Sequence, residues 1–219
     1  ILTLGDTSGG SPGMRAQTFC EPRFELKVLV DCFGTGVLAE LESAGTFQIV
    51  SGPAFTLTFV LPTDVSVDVP FRACLKFDDQ WGNPAAAYGS VQITGAHHFE
   101  GIPPAVVFSG EHEGVCHFEG VRASKEGTYW LEAQAPNFDL HATSNMIAVH
   151  QDAPPTRRFW GDLHGQSEET VGTKRVDEYF AFARDQALMD FAGHQGNCFQ
   201  ITNEIWERIR ETIKAYREP

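Results

Sequence analysis

The sequence predicts two fold classes in one chain, an antiparallel β region followed by the opening of an α/β domain, and three observations carry that prediction. From residue 46 to 150 short apolar segments recur at regular intervals, nearly all separated by Gly, Pro, Asn or Asp, the pattern of an antiparallel β-sandwich. The prolines and arginines of "QDAPPTRR", residues 151–158, break that rhythm and read as a linker. Behind them the apolar period lengthens from two to a helical one, and the order becomes strand–helix–strand–helix, which implies parallel strands.

Taken in order, residues 1–45 hold one convincing strand, "RFELKVLVD", after the turn-rich "GDTSGGSPG". The opening "ILTLGDTSGG" has no initiator Met and no signal pattern, so it reads as mid-domain sequence, and the chain as a fragment. Residues 46–150 supply "TFQIV", "AFTLTFVLP", "PFRACLKFDD", "SVQITG", "AVVFSG", "GVCHFEGV", "GTYWLEAQ" and "SNMIAVH" as strands. Residues 159–219 begin the α/β part, with "RRFWGD" as its first strand and "LMDFAG" as the next, parallel one. Between them "TKRVDEYFAFARDQAL" has Val176, Tyr179, Phe180 and Ala183 at helical spacing, with Thr173 available as N-cap. "TNEIWERIRETIKAYREP" is a second amphipathic helix, striped by Ile205, Ile209, Ile213 and Tyr216, with Glu204 near its start and Lys214 and Arg217 near its end.

Bulk properties narrow the functions. A chain of 219 residues that is 42% apolar can bury real cores. A net charge of −13 and a pI near 4.9 argue against nucleic-acid or anionic-membrane partners, which need a basic face. No apolar run approaches the roughly 20 residues of a spanning helix. The five cysteines form no C-x-x-C pair. In "PFRACLKF" alternation puts Phe71, Ala73, Leu75 and Phe77 on one face and Arg72, Cys74 and Lys76 on the other. Cys74 is thus expected to face away from the core and not to bridge to Cys116, and reduced thiols suit a cytoplasmic setting. Oligomeric state is left open.

Candidate chemistry concentrates in "FWGDLHGQSEETVGT" and "FAGHQGN". If the two strands are parallel neighbours, His164 and His194 both sit just past carboxyl ends, where α/β folds build their sites. Strands about 4.8 Å apart let imidazoles at equal heights reach one ion. Gln166, two residues from His164 on an extended segment, points to the same side. Glu168 or Glu169 can fold back as a carboxylate ligand or proton acceptor. Asp162 is placed to hydrogen-bond a His ring and fix its tautomer. Elsewhere the bland reading holds. His97 and His98 beside Glu100, and the scattered His112, His117, His141 and His150, are expected to be solvent-exposed. Gln195 and Asn197 are expected to form a turn, Cys198 to be buried and inert, and Phe159 and Trp160 to pack the first helix from the strand.

Two resemblances follow from these residues. "FDDQWGNPAAAYGSVQITG" and "EGTYWLEAQA" resemble the D-x-x-G-N-P turn and a late strand of bacterial Ig-like domains, which bears on fold and hardly on function. "WGDLHGQS" followed by "DFAGHQGN" resembles the D-L-H-x-H-S and T-D-H motifs of the PHP (polymerase and histidinol phosphatase) superfamily, and the whole arrangement looks like the DUF3604 family of PHP-like proteins. That resemblance implies a distorted (β/α) barrel, of which this chain would hold only the first βαβα units, and a divalent metal cofactor (Mn, Zn, Mg or Fe). It implies hydrolysis of a small-molecule substrate, most often a phosphoester. His164 and His194 match metal ligands, Gln166 stands where the motif has its second His, and Gly193 replaces the Asp of T-D-H. An amide oxygen is a weaker, harder donor than imidazole, so the site would hold fewer ions, favour Mn or Mg over Zn, or have lost catalysis. Glu169 is the candidate ligand or base. The rival reading is a non-catalytic binding or scaffold protein with a degenerate barrel.

Overall fold

Alternation along the strands decides what this chain buries. The computed structural model describes residues 5–41, 45–110 and 114–217, and it is β-rich, with several sheets and few helices. At the N-terminus the expected single strand is divided into β1 (Glu21–Glu25) and β2 (Leu29–Val30), followed by β3 (Ala39–Glu40) and β4 (Thr46–Ile49). β2 pairs with β3. β4 pairs with β1 rather than with the strands after it, and the Phe24 and Phe47 rings pack 4.9 Å apart across that pair.

The central region runs β5 (Thr56–Val60), β6 (Asp64–Ser66), β7 (Phe71–Asp78), β8 (Tyr88–Thr94), β9 (Phe99–Glu100), β10 (Ala105–Ser109), β11 (Val115–Ala123), β12 (Gly127–Tyr129), β13 (Glu132–Ala135), β14 (Leu140–Thr143) and β15 (Ile147–His150). Two four-stranded antiparallel sheets, β5-β7-β11-β9 and β10-β8-β13-β14, contribute to one apolar core. Phe71, Ala73, Leu75 and Phe77 of β7 are buried in it, as the alternation predicts. Phe77 meets Phe108 edge-to-face with centroids 5.0 Å apart, a geometry aromatic quadrupoles favour. The third sheet, β12-β15-β6, departs from the antiparallel expectation because β6 and β15 run parallel.

The opposite face of β7 differs from the expectation. Arg72 and Lys76 are partly exposed, yet Cys74 is fully buried. β7 is a central strand, and Cys74 is flanked by Val60 of β5 and His117 of β11. Further along β7 Asp185 comes within 3.7 Å of Arg72, and Arg72, Val60 and Phe71 share a cavity of about 640 Å³ with Arg184 and residues 187–190. Cys116 is directly opposite Leu75 and Cys74 opposite His117, so the two thiols point to opposite faces and cannot bridge. Both are free, as are the other three cysteines. His97, His98 and His141 are exposed as expected, and His112 lies outside the described residues. His117 and His150 are not the solvent-exposed residues expected. His117 is partly buried in β11 with an unpartnered ring Nδ1, and His150 bonds the carboxylate of Asp64 at 2.9 Å.

Asp64 also fixes the linker. It is almost fully buried and accepts from Arg158 Nε and Nη2, both at 2.8 Å, and from the Arg158 backbone N–H at 2.9 Å, while Arg157 donates to its carbonyl. A second tie is the "DDQWGNP" turn, where Gly82 supplies the left-handed φ of +86°. Asp79 accepts from the backbone N–H groups of Gly52, Trp81 and Asn83. The Asn83 side chain in turn accepts from Cys20 N–H and donates to the Thr18 carbonyl.

The C-terminal part is β16 (Gly161–Gly165), α1 (Val176–Ala181), β17 (Phe191–His194) and α2 (Asn203–Arg217), with β16 and β17 parallel as predicted. The strand starts later than "RRFWGD" suggests, so His164 lies inside it. Phe159 and Trp160 precede it and are exposed, and the Trp160 indole N–H donates to Thr63 Oγ1 at 2.7 Å instead of packing the helix. The start of α1 is fixed by Arg175, whose backbone N–H donates to Glu178 at 3.0 Å, not by Thr173. A π-helical turn, Phe182–Gln186, follows α1, and Leu188, at φ +51°, ends the run. Val176, Phe180 and Ile209 form a small separate core with Ile205 and Tyr216 against it, whereas Ile213 of the expected stripe is partly exposed. Among the described residues no helix is long and apolar enough to cross a membrane.

Candidate functional site

A bulge in β16 sets the geometry of the site. Gly161 pairs with Phe191 and Asp162 with Ala192, but the next pair is Gly165 with His194, so β16 carries one extra residue over this interval. The donor this frees is absorbed locally, because Asp162 Oδ1 accepts from the His164 backbone N–H at 2.7 Å. Asp162 Oδ2 accepts from the Tyr179 hydroxyl at 3.2 Å. Asp162 therefore shapes the bulge and bonds no imidazole, contrary to the role expected for it. The strand partner of His194 is Gly165, and His164 is exposed while His194 is half-buried.

Gly165 is required by close packing. A Cβ there would overlap the Tyr179 ring, whose hydroxyl is shared between Asp162 and the Gly193 carbonyl at 3.3 Å. Burial and the neighbouring Asp162 charge push the Tyr179 phenol up to about 12, so it serves at neutral pH as a donor that ties α1 to both strands.

Beyond β16 the chain folds tightly around Ser167, which is fully buried. Its carbonyl accepts from Thr170 and Gly172 N–H. Its hydroxyl bonds two side chains, the Glu169 carboxylate and His194 Nε2, the latter at 2.7 Å. Glu169 is itself buried, and its other oxygen accepts from Arg208 of α2 at 3.2 Å. Burial alone would raise the Glu169 pKa, but the bonds from Ser167 and Arg208 outweigh it and hold the carboxyl below its ordinary value. Burial lowers the His194 pKa, opposed by the Glu169 charge. This is not a nucleophilic triad. Carboxylate and imidazole both meet the hydroxyl, whereas a triad places the acid on the far nitrogen of the histidine.

Of the residues expected from sequence, Glu169 and His194 are thus brought together through Ser167. Gln166 lies beside them, its Oε1 occupied by the Thr170 hydroxyl at 3.0 Å. His164 and Glu168 are exposed. Cys198 is exposed, not buried. Asn197 donates to Gln200 at 3.2 Å, as a turn residue does. The sequence reading missed Ser167, Tyr179 and Arg208 as site residues. Tyr179 reads as one more position of an apolar stripe and Arg208 as a solvated helix charge; only the clustering of Ser167 with Gln166 and two Glu pointed this way. Among the described residues no three His, Cys, Asp or Glu side chains gather as a metal-holding group. With Asp162 and Glu169 committed to hydrogen bonds, this donor set does not by itself fit a divalent ion.

No family model matches the chain. An uncharacterized protein of Chlamydia pneumoniae is 20% identical over 229 residues, an alignment taking in 99% of this chain and 36% of that protein. The chain thus spans about a third of the length of that relative. Among solved structures, domains 4 and 5 of the S-layer protein SbsC match at a TM-score of 0.33 and 12% identity, covering 52% of this chain and 63% of that one, a likeness too slight to argue from.

Proposed function

We propose that this chain belongs to a PHP-like, DUF3604-type metal-dependent hydrolase acting on small phosphoesters, in which an Ig-like β module precedes the first βαβα unit of the hydrolase domain. The observation that carries the reading is the parallel pairing of β16 and β17 with a histidine in the last two residues of each, the edge at which α/β folds place their chemistry. His164 and His194 are the ligands the motif resemblance implies. The ligand set is incomplete within the described residues, and further ligands would have to come from outside them.

The rival, a binding or scaffold protein, is favoured by one specific contact: the Gln166 oxygen that would replace a ligand imidazole accepts from the Thr170 hydroxyl, leaving one lone pair for an ion. Both readings are tested on the full-length natural protein by elemental analysis and by hydrolysis of p-nitrophenyl phosphate with added Mn²⁺. The hydrolase reading expects bound metal and turnover that His194→Gln removes. A protein with neither metal nor turnover on this and diester analogues is a scaffold.

A further inference from the structure

We infer that Ser167, Glu169 and Arg208 are positioning residues that lock the His194 ring with its proton on Nε2, leaving Nδ1 as the lone-pair nitrogen offered to whatever enters the site. Arg208 can only donate, and it reaches Glu169 Oε1 at 3.2 Å. A carboxylate kept ionised in this way can only accept, so the Ser167 hydroxyl must spend its single proton on Glu169 Oε2. The Ser167 oxygen is then left with lone pairs, and the 2.7 Å contact with His194 Nε2 is satisfied only by N–H donating to it. Every link has one direction, from His194 to Ser167 to Glu169, with Arg208 closing the far end.

Burial makes the lock tight. Ser167 is wholly enclosed and the Glu169 side chain is only 3% exposed, so water does not compete for the bond between them, and reversing the links at Ser167 would strand an acceptor; Arg208, 57% exposed, closes the chain from the solvent side. A nitrogen presented in this way accepts from a proton donor or binds a Lewis-acidic cation, and it repels a bare anionic oxygen. The direction of the chain holds whether or not the protein is a hydrolase.

The test is the imidazole ¹⁵N spectrum of the ¹⁵N-histidine-labelled full-length protein at neutral pH, with the His194 signals identified by their loss in His194→Gln. Protonated Nε2 and lone-pair Nδ1 are expected in the wild type. Ser167→Ala should relax this to a mixture of tautomers. Glu169→Gln should invert it, because Arg208 then holds the amide oxygen, the amide NH₂ donates to Ser167, and the freed hydroxyl proton turns to His194. A wild-type ring carrying its proton on Nδ1 overturns the inference, as does an unchanged tautomer in both variants. Should one variant fail to fold, the wild-type spectrum and the other variant decide. Since no turnover is measured, failure here is distinguishable from failure of the hydrolase reading.

Discussion

Asp64 on β6 takes a two-point ion pair from Arg158, 94 residues further along the chain, and so ties the β region to the end of the linker that leads into the α/β part. Hydrogen bonds from Arg158, opposed by burial and aided by His150, hold the Asp64 carboxyl far below the usual carboxylate range. Asp64→Asn should cost about 1–2 kcal/mol at neutral pH, the exposure of Arg158 keeping the loss at the low end. A depressed pKa contributes stability above the ordinary carboxylate value, and this is lost as pH falls through the folded one. Denaturant titrations should therefore show a constant gap between variant and wild type from about pH 5 to 7 that closes below about pH 4. A gap that widens on acidification would contradict the assignment.

Tyr179 behaves in the opposite sense. Its phenol, raised to about 12, stabilises the fold while neutral, fully below the ordinary value of about 10, and loses that contribution as pH climbs. Tyr179→Phe should flatten this alkaline loss. Gly165→Ala, whose new methyl collides with the Tyr179 ring, should destabilise by about 1–3 kcal/mol and return one of the four tyrosines to an ordinary titration, read from phenolate absorbance.

The small core around Ile209 should yield before the large one. Ile209 is 1% exposed and, among the described residues, shares its cluster with two other buried side chains, Val176 and Phe180. Ile209→Ala should cost about 2–5 kcal/mol, and hydrogen exchange should place the lost protection in residues 161–217, with β7 and β11 unchanged. Uniform loss across both regions would mean that the two parts unfold as one unit.

Thiol labelling should separate the cysteines by burial. Cys32 and Cys198 are exposed and should react at once with a disulfide reagent. Cys74, pushed up to about 12 by burial, and Cys116, raised for the same reason, should react only on unfolding. Fast modification of Cys74 in the native protein would contradict its burial in β7.

These cases also mark what was legible in the sequence. The inward residues of β7 follow from a period of two, and the parallel pair β16/β17 follows from element order; both are local or topological signals. Cys74 is buried on the face that alternation assigns outward, because alternation carries no information about what covers a sheet's second face. In the site, motif spacing pointed to His194, and Glu169 stood out only as one of two acids in a polar cluster; the bulge that shifts His164 out of step is a register event, visible only once the partner strand is present. Ser167 was noticed only as one polar residue in a crowd, because its two bonds reach side chains 2 and 27 positions away. Arg208 approaches Glu169 from 39 positions away.

The Asp79–Asn83 turn accepts from the Gly52 N–H and holds Thr18 and Cys20. Asn83 and Pro84, together with Cys20, also wall a cleft of about 320 Å³ shared with Gln166, Lys174 and Tyr179. Three stretches remote from one another in the gene thereby meet at a single turn. Across relatives these stretches should drift in concert, and a chimaera that exchanges only one of them should inherit a mismatch at this joint.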